Sequence, residues 1–359
     1  MELDREALLA AVKAASAVVA NKHTVPMFNA VWLMDGHVLA FNNSGMVINL
    51  PMEMPALGGI DGKLLTQLLG KSDEDVVTID ATENGQARIK AGRFTAKLAV
   101  LDPVDYVHQL VKPPKPEDDA VEFDTVQLVE DIELDAMLQV AALKAEQALD
   151  FCSLTMNSTG TGQVVLFTSD RITINRSLLR IDSMLDNTCS YFVPLEFMKA
   201  AKRTWDIFGE GACLLGNKRI LLTGEDDAIL YTTLAQVKEP VNFMTAINRV
   251  WPEGKIDTKS LVKIPDEFED ALVRASSIAK GDKALVHIKV LDGQLTVSAA
   301  NEASNFKESI DFDHPDREAK FPSQLLLKSL PYANRMYIGT WSMALFGPKR
   351  FSRYIASKS

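Results

Sequence analysis

The chain has 359 residues, 47% of them hydrophobic and 24% charged, and a formal net charge of −10. This composition is typical of a soluble globular protein and excludes a disordered or fibrous one, while the length predicts two or three domains. The acidic net charge argues against binding nucleic acid over the whole surface, although it permits a local basic lining.

The cysteines and the N-terminus indicate a cytoplasmic protein. Cys152, Cys189 and Cys213 are widely spaced and form no CxxC pair, so neither a disulfide framework nor a zinc ribbon is expected, and a reducing compartment fits. Charged residues interrupt the apolar pattern of the first sixteen residues, and no later apolar run could span a bilayer. We therefore expect no signal peptide and no membrane contact.

The first third of the chain predicts a helix, a hairpin, a second helix and further strands. Apolar residues from Leu8 to Val19 recur at i, i+4, i+7 and i+11, as on one face of a helix. Asp35-Gly36 separates two strand-like runs. IDGKLLTQLLGK predicts the second helix, with Gly70 as its C-terminal stop, and Asn84-Gly85 predicts the turn of a later hairpin.

The middle third repeats this order. A helical stripe runs from Leu134 to Ala145, and the runs SLTMN and QVVLFTS predict strands around the loop 158–162. PLEFMKAAKRTW predicts the second helix, with Pro194 in its first turn. CLLGNKRILLTG and AILYTTLAQV predict the later strands.

The last third carries the clearest copy of the unit. Phe268, Leu272, Ala275 and Ala279 share a helix face. Asp292-Gly293 then predicts a type I′ hairpin turn, because both central positions of that turn need positive φ. FPSQLLLKSLPY predicts the second helix, followed by the strands RMYIGTWSMALF and SRYIA.

The order and spacing of these elements predict an α+β chain of three tandem domains, each with two helices packed on antiparallel sheets. The proline- and charge-rich stretch 112–120 and the stretch near Trp251 indicate the boundaries. We therefore predict domains at 1–120, 121–250 and 251–359. Three unrelated α+β domains are the alternative.

Motifs for catalysis are not found in the sequence. Lys71-Ser72 lacks the first glycine of a P-loop, and the glycines at 209–216 do not have dinucleotide-binding spacing. The five histidines are scattered, and the carboxylates form no spaced cluster. We expect no enzyme activity, no metal and no cofactor.

The basic residues are more informative, because every predicted helix carries Lys or Arg off its apolar stripe or at its end. A protein that is acidic overall but basic along one set of helices is suited to hold a polyanion there. Glu267, Glu269 and Asp270 in the last third oppose this pattern. The basic residues are Lys13, Lys63, Lys71, Lys144, Lys199, Lys202, Arg203, Arg274, Lys280 and Lys328.

Three such units resemble the bacterial-type DNA sliding clamp, the β subunit of the replicative polymerase. The resemblance lies in the order of short stretches spread over nearly the whole chain, among them GRFTAKLAVLDPVDY, YFVPLEFMKAAK, VHIKVLDGQLTVSAAN and SRYIA. It implies a head-to-tail homodimer that forms a ring, lined by helices and rimmed by sheets, around double-stranded DNA. The basic residues above would then attract phosphates independently of sequence, and Lys22 would join them.

The resemblance also implies a pocket that captures short peptides of the polymerase, the clamp loader and other partners. The pocket residues would be Phe151, Thr168, Asp170, Arg171, Thr173, Pro240, Ile247 and Ile355. Several depart from the family pattern: the usual glycine-histidine-arginine-leucine run appears here as 170–173, and the usually apolar C-terminus is polar after Ile355. We expect altered or more selective peptide binding.

At the joint of the ring, the resemblance implies that Ala96 and Leu98, on an edge strand, face Ser277 and Ile278 of the partner copy, with main-chain pairing across subunits. The sequence therefore predicts a non-enzymatic DNA sliding clamp. Two alternatives stay open: a clamp-like scaffold or decoy that binds clamp partners without encircling DNA, and an enzyme with an unrecognised site.

Overall fold

The computed structural model describes most of the chain. The described residues are 1–19, 23–82, 85–103, 107, 124–126, 153–158, 163–169, 172–180, 190–208, 212–215, 218–235, 242–251, 254–279, 284–348 and 351–357.

Among the described residues, helices and antiparallel strands follow one another in broadly the order that the sequence predicts. The helix predicted from Leu134 to Ala145 lies outside the described residues. The first elements are β1 (Glu2–Asp4), α1 (Arg5–Val18), β2 (Ala30–Met34), β3 (His37–Phe41), β4 (Val47–Pro51), β5 (Gly58–Asp61), α2 (Gly62–Gly70), β6 (Val76–Ala81), β7 (Gln86–Ala91) and β8 (Phe94–Ala99). The next are β9 (Asp124–Val126), β10 (Ser153–Ser158), β11 (Gln163–Ser169), β12 (Thr173–Arg180), β13 (Ser190–Pro194), α3 (Leu195–Phe208), β14 (Ala212–Leu215), β15 (Arg219–Thr223) and β16 (Ile229–Thr233).

The remaining elements are α4 (Phe243–Asn248), β17 (Val262–Lys263), α5 (Phe268–Ile278), β18 (Leu285–Leu291), β19 (Gln294–Ala300), β20 (Asn305–Asp311), β21 (Arg317–Pro322), α6 (Ser323–Leu327), β22 (Arg335–Ile338), β23 (Ser342–Phe346) and β24 (Ser352–Ala356). Short 3₁₀ turns occupy Pro26–Asn29, Glu225–Asp227, Thr258–Ser260 and Leu330–Tyr332.

Local chemistry fixes where several elements begin. The side chain of Asp4 accepts a hydrogen bond from Ala7 N at the start of α1, and Asp61 accepts from Lys63 N and Leu64 N at the start of α2. Each carboxylate satisfies backbone donors that a first helical turn leaves unpaired. Asp292 and Gly293 both have positive φ, at 50° and 74°, so the turn predicted between β18 and β19 is confirmed.

Two local predictions differ in detail from the structure, and one helix was not predicted. Gly70 is the last residue of α2, but φ is negative there and −98° at the following Lys71, so the helix ends without a left-handed glycine. Pro194 closes β13 and precedes α3 instead of lying in its first turn. Helix α4 was not predicted; it is six residues long and Asn242 caps it by accepting from Thr245 N at 3.1 Å.

The chain forms two compact units, each assembled from several segments. The first comprises Met1–Leu128, Gly160–Gly162 and Arg180–Gln236. It contains the sheet β1-β6-β7-β8 and the sheet β5-β2-β3-β4-β16-β15-β14-β9. Helix α1 packs on β2, β3 and β4 of the larger sheet and contacts both α2 and α3.

The second unit comprises Val129–Thr159, Gln163–Leu179 and Val237–Ser359. It contains the strand order β10-β11-β12-β24-β23-β22-β17 and the sheet β20-β19-β18-β21. Helix α5 packs on β18, β19 and β20, and α6 packs on β21 and on α5. The core between them includes Phe268, Leu272, Ile288 and Val297, all fully buried.

Each large sheet crosses a boundary that the sequence predicts between domains. In the first unit β4 pairs with β16, with Val47 opposite Tyr231. In the second unit β12 pairs with β24, with Thr173 opposite Ile355. The compact units therefore join segments from either side of both boundaries, and the division at 120 and 250 stays a prediction.

His314 is a buried histidine whose two ring nitrogens both have partners. It is 6% exposed. Its Nε2 accepts the backbone N–H of Ile338 at 3.0 Å, so Nδ1 carries the proton and donates to the carbonyl of Pro315 at 2.8 Å. The ring also stacks against Phe312. Burial lowers the pKa of His314 below its usual value, which favours the neutral ring.

This geometry predicts a loss of stability in mild acid. Because the folded pKa lies below the unfolded pKa of about 6.5, the contribution of His314 is complete above that pH and is lost as the pH falls through the folded pKa. The free energy of unfolding in urea between pH 5 and 8 should therefore depend less on pH in His314→Gln, whose amide can keep both hydrogen bonds. His37→Gln is the control, and equal pH dependence in His314→Gln and wild type would contradict the assignment.

Candidate functional site

The helices of the first unit form a layer whose inner side is apolar. Leu8, Val12 and Ala15 of α1 are fully buried, and α2 and α3 bury Leu65 and Phe197 in the same way. The sequence spacing that predicted these helix faces is therefore realised, and charged residues on the helices are directed away from the core.

Cations predicted from the sequence lie on all three helices of this layer. Lys13, Lys63, Lys71 and Arg203 are exposed, and Lys199 and Lys202 are partly buried. Lys199 Nζ pairs with Glu196 of the same helix at 2.9 Å, an exposed contact that contributes little stability. We call these six residues the cationic helix face.

Part of the cationic helix face borders a cavity of about 830 Å³. Lys63 of α2 and Lys199 and Arg203 of α3 line it together with the C-terminal end of α1. On the other side are His23 and the turn 42–44, which Asn42 holds by accepting from Ser44 N and Met46 N. Among the described lining residues three cations face one acid, Glu196, so the cavity is suited to an anion.

The helices of the second unit have a different charge. Arg274 of α5 donates to both carboxylate oxygens of Glu308, at 2.9 and 2.7 Å, and these hydrogen bonds raise the pKa of Arg274. The first turn of α5 carries the exposed Glu269 and Asp270. Lys328, just after α6, is exposed. Among the described residues, most of the exposed cations that the sequence predicts therefore lie on the first unit.

Seven predicted site residues lie outside the described ranges. They are the basic residues Lys22, Lys144 and Lys280 and the pocket residues Phe151, Asp170, Arg171 and Pro240.

The four described residues of the predicted peptide pocket are interior groups. Thr168 and Thr173 are 1% exposed, and Ile247 and Ile355 are 0% exposed. The structure brings three of them to one sheet, with Thr168 on β11 and with Thr173 and Ile355 as cross-strand partners, while Ile247 lies on helix α4. Their side chains cannot contact a ligand without a rearrangement of this unit. The role that the sequence predicts for them stays a prediction.

Aromatic rings account for part of this burial. Ile247 belongs to a cluster with Phe167, Phe243, Trp251 and Tyr354. The rings of Phe167 and Phe243 stack at 5.2 Å, and Tyr354 meets Trp251 edge-on at 6.1 Å. Such pairs prefer these geometries and add to the hydrophobic stabilisation.

A buried polar network on the other side of the same sheet was not predicted. Arg353 is 2% exposed. Its guanidinium donates to Asn175 Oδ1 and to Ser329 Oγ, both at 2.7 Å, and Asn175 Nδ2 donates to Thr168 Oγ1 at 2.9 Å. Thr168 is thus held inside a network that links three distant segments. The alternation of polar residues in RITIN and SRYIA is the signal that could have indicated it.

Two of the residues predicted for a joint between copies lie on a terminal strand of a sheet, and the other two lie on helix α5. β8, which carries Ala96 and Leu98, is a terminal strand of its sheet, and so is β20 in the second unit. Ala96 is partly buried, whereas Leu98 is 6% exposed within its own unit. At a joint between copies, Leu98 can therefore contribute its main-chain N–H and C=O groups, but little of its side-chain surface. On α5, Ser277 is exposed and Ile278 is partly buried.

Neither a metal site nor a membrane-spanning helix is found in the part of the chain that the structure describes. No three His, Cys, Asp or Glu side chains in the described ranges come together as a metal site would require. None of the helices described is both long enough and apolar enough to cross a membrane.

Comparison with known proteins reveals similarity in structure, not in sequence. No family model matches the chain, and no curated protein matches it. A DNA polymerase III β subunit from Eubacterium rectale superimposes with a TM-score of 0.79 at 13% identity, covering 100% of this chain and 99% of that one. The DNA polymerase sliding clamp from Pseudomonas aeruginosa gives 0.76 at 16% identity, with the same coverage.

A third solved structure agrees. The sliding clamp from Bacillus subtilis gives a TM-score of 0.75 at 14% identity, covering 100% of this chain and 98% of that one. The chain has the sliding-clamp fold. The predicted resemblance is therefore confirmed at the level of the fold, for a divergent clamp-type protein, over the full length of the chain.

The burial of Ile247 can be tested by its energetic cost. Truncating an interior isoleucine leaves a cavity, so Ile247→Ala should lower the free energy of unfolding by about 2–5 kcal/mol. Val273→Ala is the control, because Val273 is 52% exposed on α5, and a surface change costs about 0.5 kcal/mol or less. Urea unfolding measures both, and a loss below about 1 kcal/mol for Ile247→Ala would indicate an open pocket there.

Proposed function

We propose that this protein is a DNA sliding clamp, a processivity factor that encircles double-stranded DNA and tethers the replicative DNA polymerase and other partners. The observation that carries the proposal is the sliding-clamp fold over the whole chain, at TM-scores of 0.75–0.79 to the three solved structures above. The cationic helix face supports it, because those cations lie on helices, as the resemblance implies for the lining of the ring.

A clamp must attract duplex phosphates without fixing its position on them. Lysine and arginine side chains supply such an attraction, which is independent of sequence and weakens with salt. The exposed cations of α1, α2 and α3 have this chemistry, and enclosure of the DNA would provide retention. The role is one of attraction and tethering, so we assign no catalytic activity, metal or cofactor to it.

Two of the terminal strands in the described part of the chain, β8 and β20, support assembly into a ring. A terminal strand has unpaired N–H and C=O groups that can pair with another chain. β8 lies in the first unit and β20 in the second, so contact between β8 of one copy and β20 of the next is head-to-tail. Such heterologous contacts close into a ring when the rotation permits. We propose that Ala96, Leu98, Ser277 and Ile278 lie at this joint in a homodimer.

A clamp-like scaffold that binds partners without encircling DNA is the second candidate. The acids of α5 and the ion pair between Arg274 and Glu308 favour it, because they remove positive potential from helices that a ring would direct at DNA. Retention on DNA distinguishes the two candidates.

The proposed ring predicts topological retention. Wild type, loaded with the clamp loader of its host, should stay on nicked circular DNA during gel filtration and leave the same DNA after linearisation. Ile278→Glu should place a charge in the joint, give the mass of a single chain in light scattering and abolish retention. Val273→Glu, an exposed change on the same helix, should stay dimeric. Equal loss from circular and linear DNA, or a dimer in Ile278→Glu, would count against the ring.

The cationic helix face predicts a change in salt dependence. Replacing Lys199, Lys202 and Arg203 by alanine should weaken DNA binding and reduce the slope of log K against log salt by about 2–3, because each phosphate contact contributes about 0.9. The matched control replaces Arg88, Lys90 and Arg93, which are exposed on β7 and in the turn that precedes β8, and carries the same change in net charge. An equal slope change in both triple variants would mean that α3 does not face DNA.

A further inference from the structure

The cavity beside α2 and α3 is a concave part of the cationic helix face. Its volume of about 830 Å³ falls within the range of about 300–1,000 Å³ that small-molecule sites occupy. Its described lining residues all belong to the first unit. Lys63, Lys199 and Arg203 lie on one side, and His23 and the turn 42–44 lie on the other. The cavity therefore has the size and the walls of a ligand site.

The lining of this cavity is positively charged overall. The acid among its described lining residues is Glu196, which pairs with Lys199. Helix α1 ends at the cavity, and the C-terminal end of a helix carries about half a negative charge. The three cations outweigh both contributions. The cavity therefore attracts anions, and it attracts a ligand with several negative charges more strongly than one with a single charge.

The other wall of the cavity adds hydrogen-bond donors. His23 Nδ1 accepts the N–H of Val25 at 3.0 Å, so the proton of the neutral ring is on Nε2. Asn42 Oδ1 accepts from Ser44 N, Ser44 Oγ and Met46 N at 2.7–3.1 Å. The other polar group of the Asn42 side chain is its amide nitrogen, which is a donor. Such donors complement a ligand that is rich in acceptor oxygens.

This wall is held in place by its own hydrogen bonds. Asn42 N donates to Met46 O at 3.0 Å, and Gly45 N donates to Asn42 O at 3.3 Å. Gly45 has a φ of 80°, a conformation that glycine adopts without steric cost. His23 N donates to Asn29 Oδ1 at 2.8 Å, and Asn29 Nδ2 donates to His23 O at 2.6 Å. Because these segments are already ordered, a ligand loses little affinity in fixing them.

We propose that the cavity binds a small soluble polyphosphate, either inorganic or the phosphate chain of a nucleotide. Phosphate groups combine several negative charges with many acceptor oxygens, and arginine and lysine are well suited to bind them. A DNA duplex fits the cavity less well, because its phosphates lie on a convex cylinder. A deep phosphate contact would also fix the register that a sliding protein must leave free. The inference therefore goes beyond the proposed function.

Occupancy of the cavity would also regulate the proposed clamp. Lys63, Lys199 and Arg203 are three of the six residues of the cationic helix face, so a bound polyphosphate would neutralise charge that otherwise attracts DNA. This consequence rests on the proposed function, whereas binding of the polyphosphate does not. Binding and its effect on DNA are therefore measured separately.

The test is isothermal titration calorimetry of the full chain with tripolyphosphate, for which we expect saturable binding. Lys63→Ala combined with Arg203→Ala should weaken binding at least about tenfold, because it removes two charge-assisted contacts. The matched control combines Lys13→Ala with Lys71→Ala, which removes the same charge from the same helix layer but outside the cavity. It should weaken binding less than about threefold, since salt at about 0.1 M screens charges that do not contact the ligand. All four side chains are exposed, so both variants should fold.

Equal weakening in the two double variants would indicate diffuse attraction and overturn the site, and so would binding that does not saturate. Competition with ATP identifies the source of the phosphate: displacement of tripolyphosphate indicates a nucleotide, and failure to displace it indicates an inorganic polyphosphate. At constant ionic strength, tripolyphosphate should weaken DNA binding by wild type and by the control variant, but not by the variant that lacks Lys63 and Arg203. The calorimetry contains no DNA, so failure of the site is distinguishable from failure of the proposed clamp.

Discussion

Pairing between strands that are far apart in the sequence holds each unit together. β16 inserts between β4 and β15, and β24 inserts between β12 and β23. Each insertion exchanges main-chain hydrogen bonds on both sides and buries apolar residues on the inserted strand, among them Leu230 and Ile355, both 0% exposed. The helices can present charged faces because these sheets provide the rigid apolar surface on which they pack.

Because the helices pack on these sheets, each helix has an apolar side that is buried and a free side that carries charged residues. In α1 the apolar stripe is used in packing, so Lys13 lies on the free side. In α3, likewise, Phe197 and Phe208 are buried and Arg203 is exposed. In α5 the free side carries acids and an arginine bound to Glu308. The distribution of charge is thus a property of individual helices on a common scaffold.

Sequence patterns predicted local structure well where the signal is short-range. The Asp292-Gly293 turn and the face of α1 both follow from spacing or turn chemistry in neighbouring residues, whereas the edge position of β8 was implied only by the resemblance. Helix α4 was missed because its six residues are too few to establish a helical period. The pairing of Ile355 with Thr173 could not be predicted from sequence patterns, because a strand with apolar residues does not specify its distant partner.

The positive charge of the helices was predictable from the sequence, whereas the burial of the predicted pocket residues was not. The cations of α1, α2 and α3 lie where helical spacing puts them. Ile247 and Thr168 were assigned to a pocket from the resemblance, and the aromatic rings and the Arg353 network that bury them are assembled by tertiary packing.

The central placement of β24 has a consequence for biosynthesis. Residues 352–356 complete a sheet whose flanking strands, β12 and β23, precede them in the chain. While the polypeptide emerges from the ribosome, β12 therefore has an unpaired edge until residues 352–356 have been synthesised. Until then Asn175 also lacks the hydrogen bond that Arg353 donates to it. The nascent second unit consequently spends most of its synthesis with an unpaired strand that molecular chaperones recognise and that other nascent chains could capture.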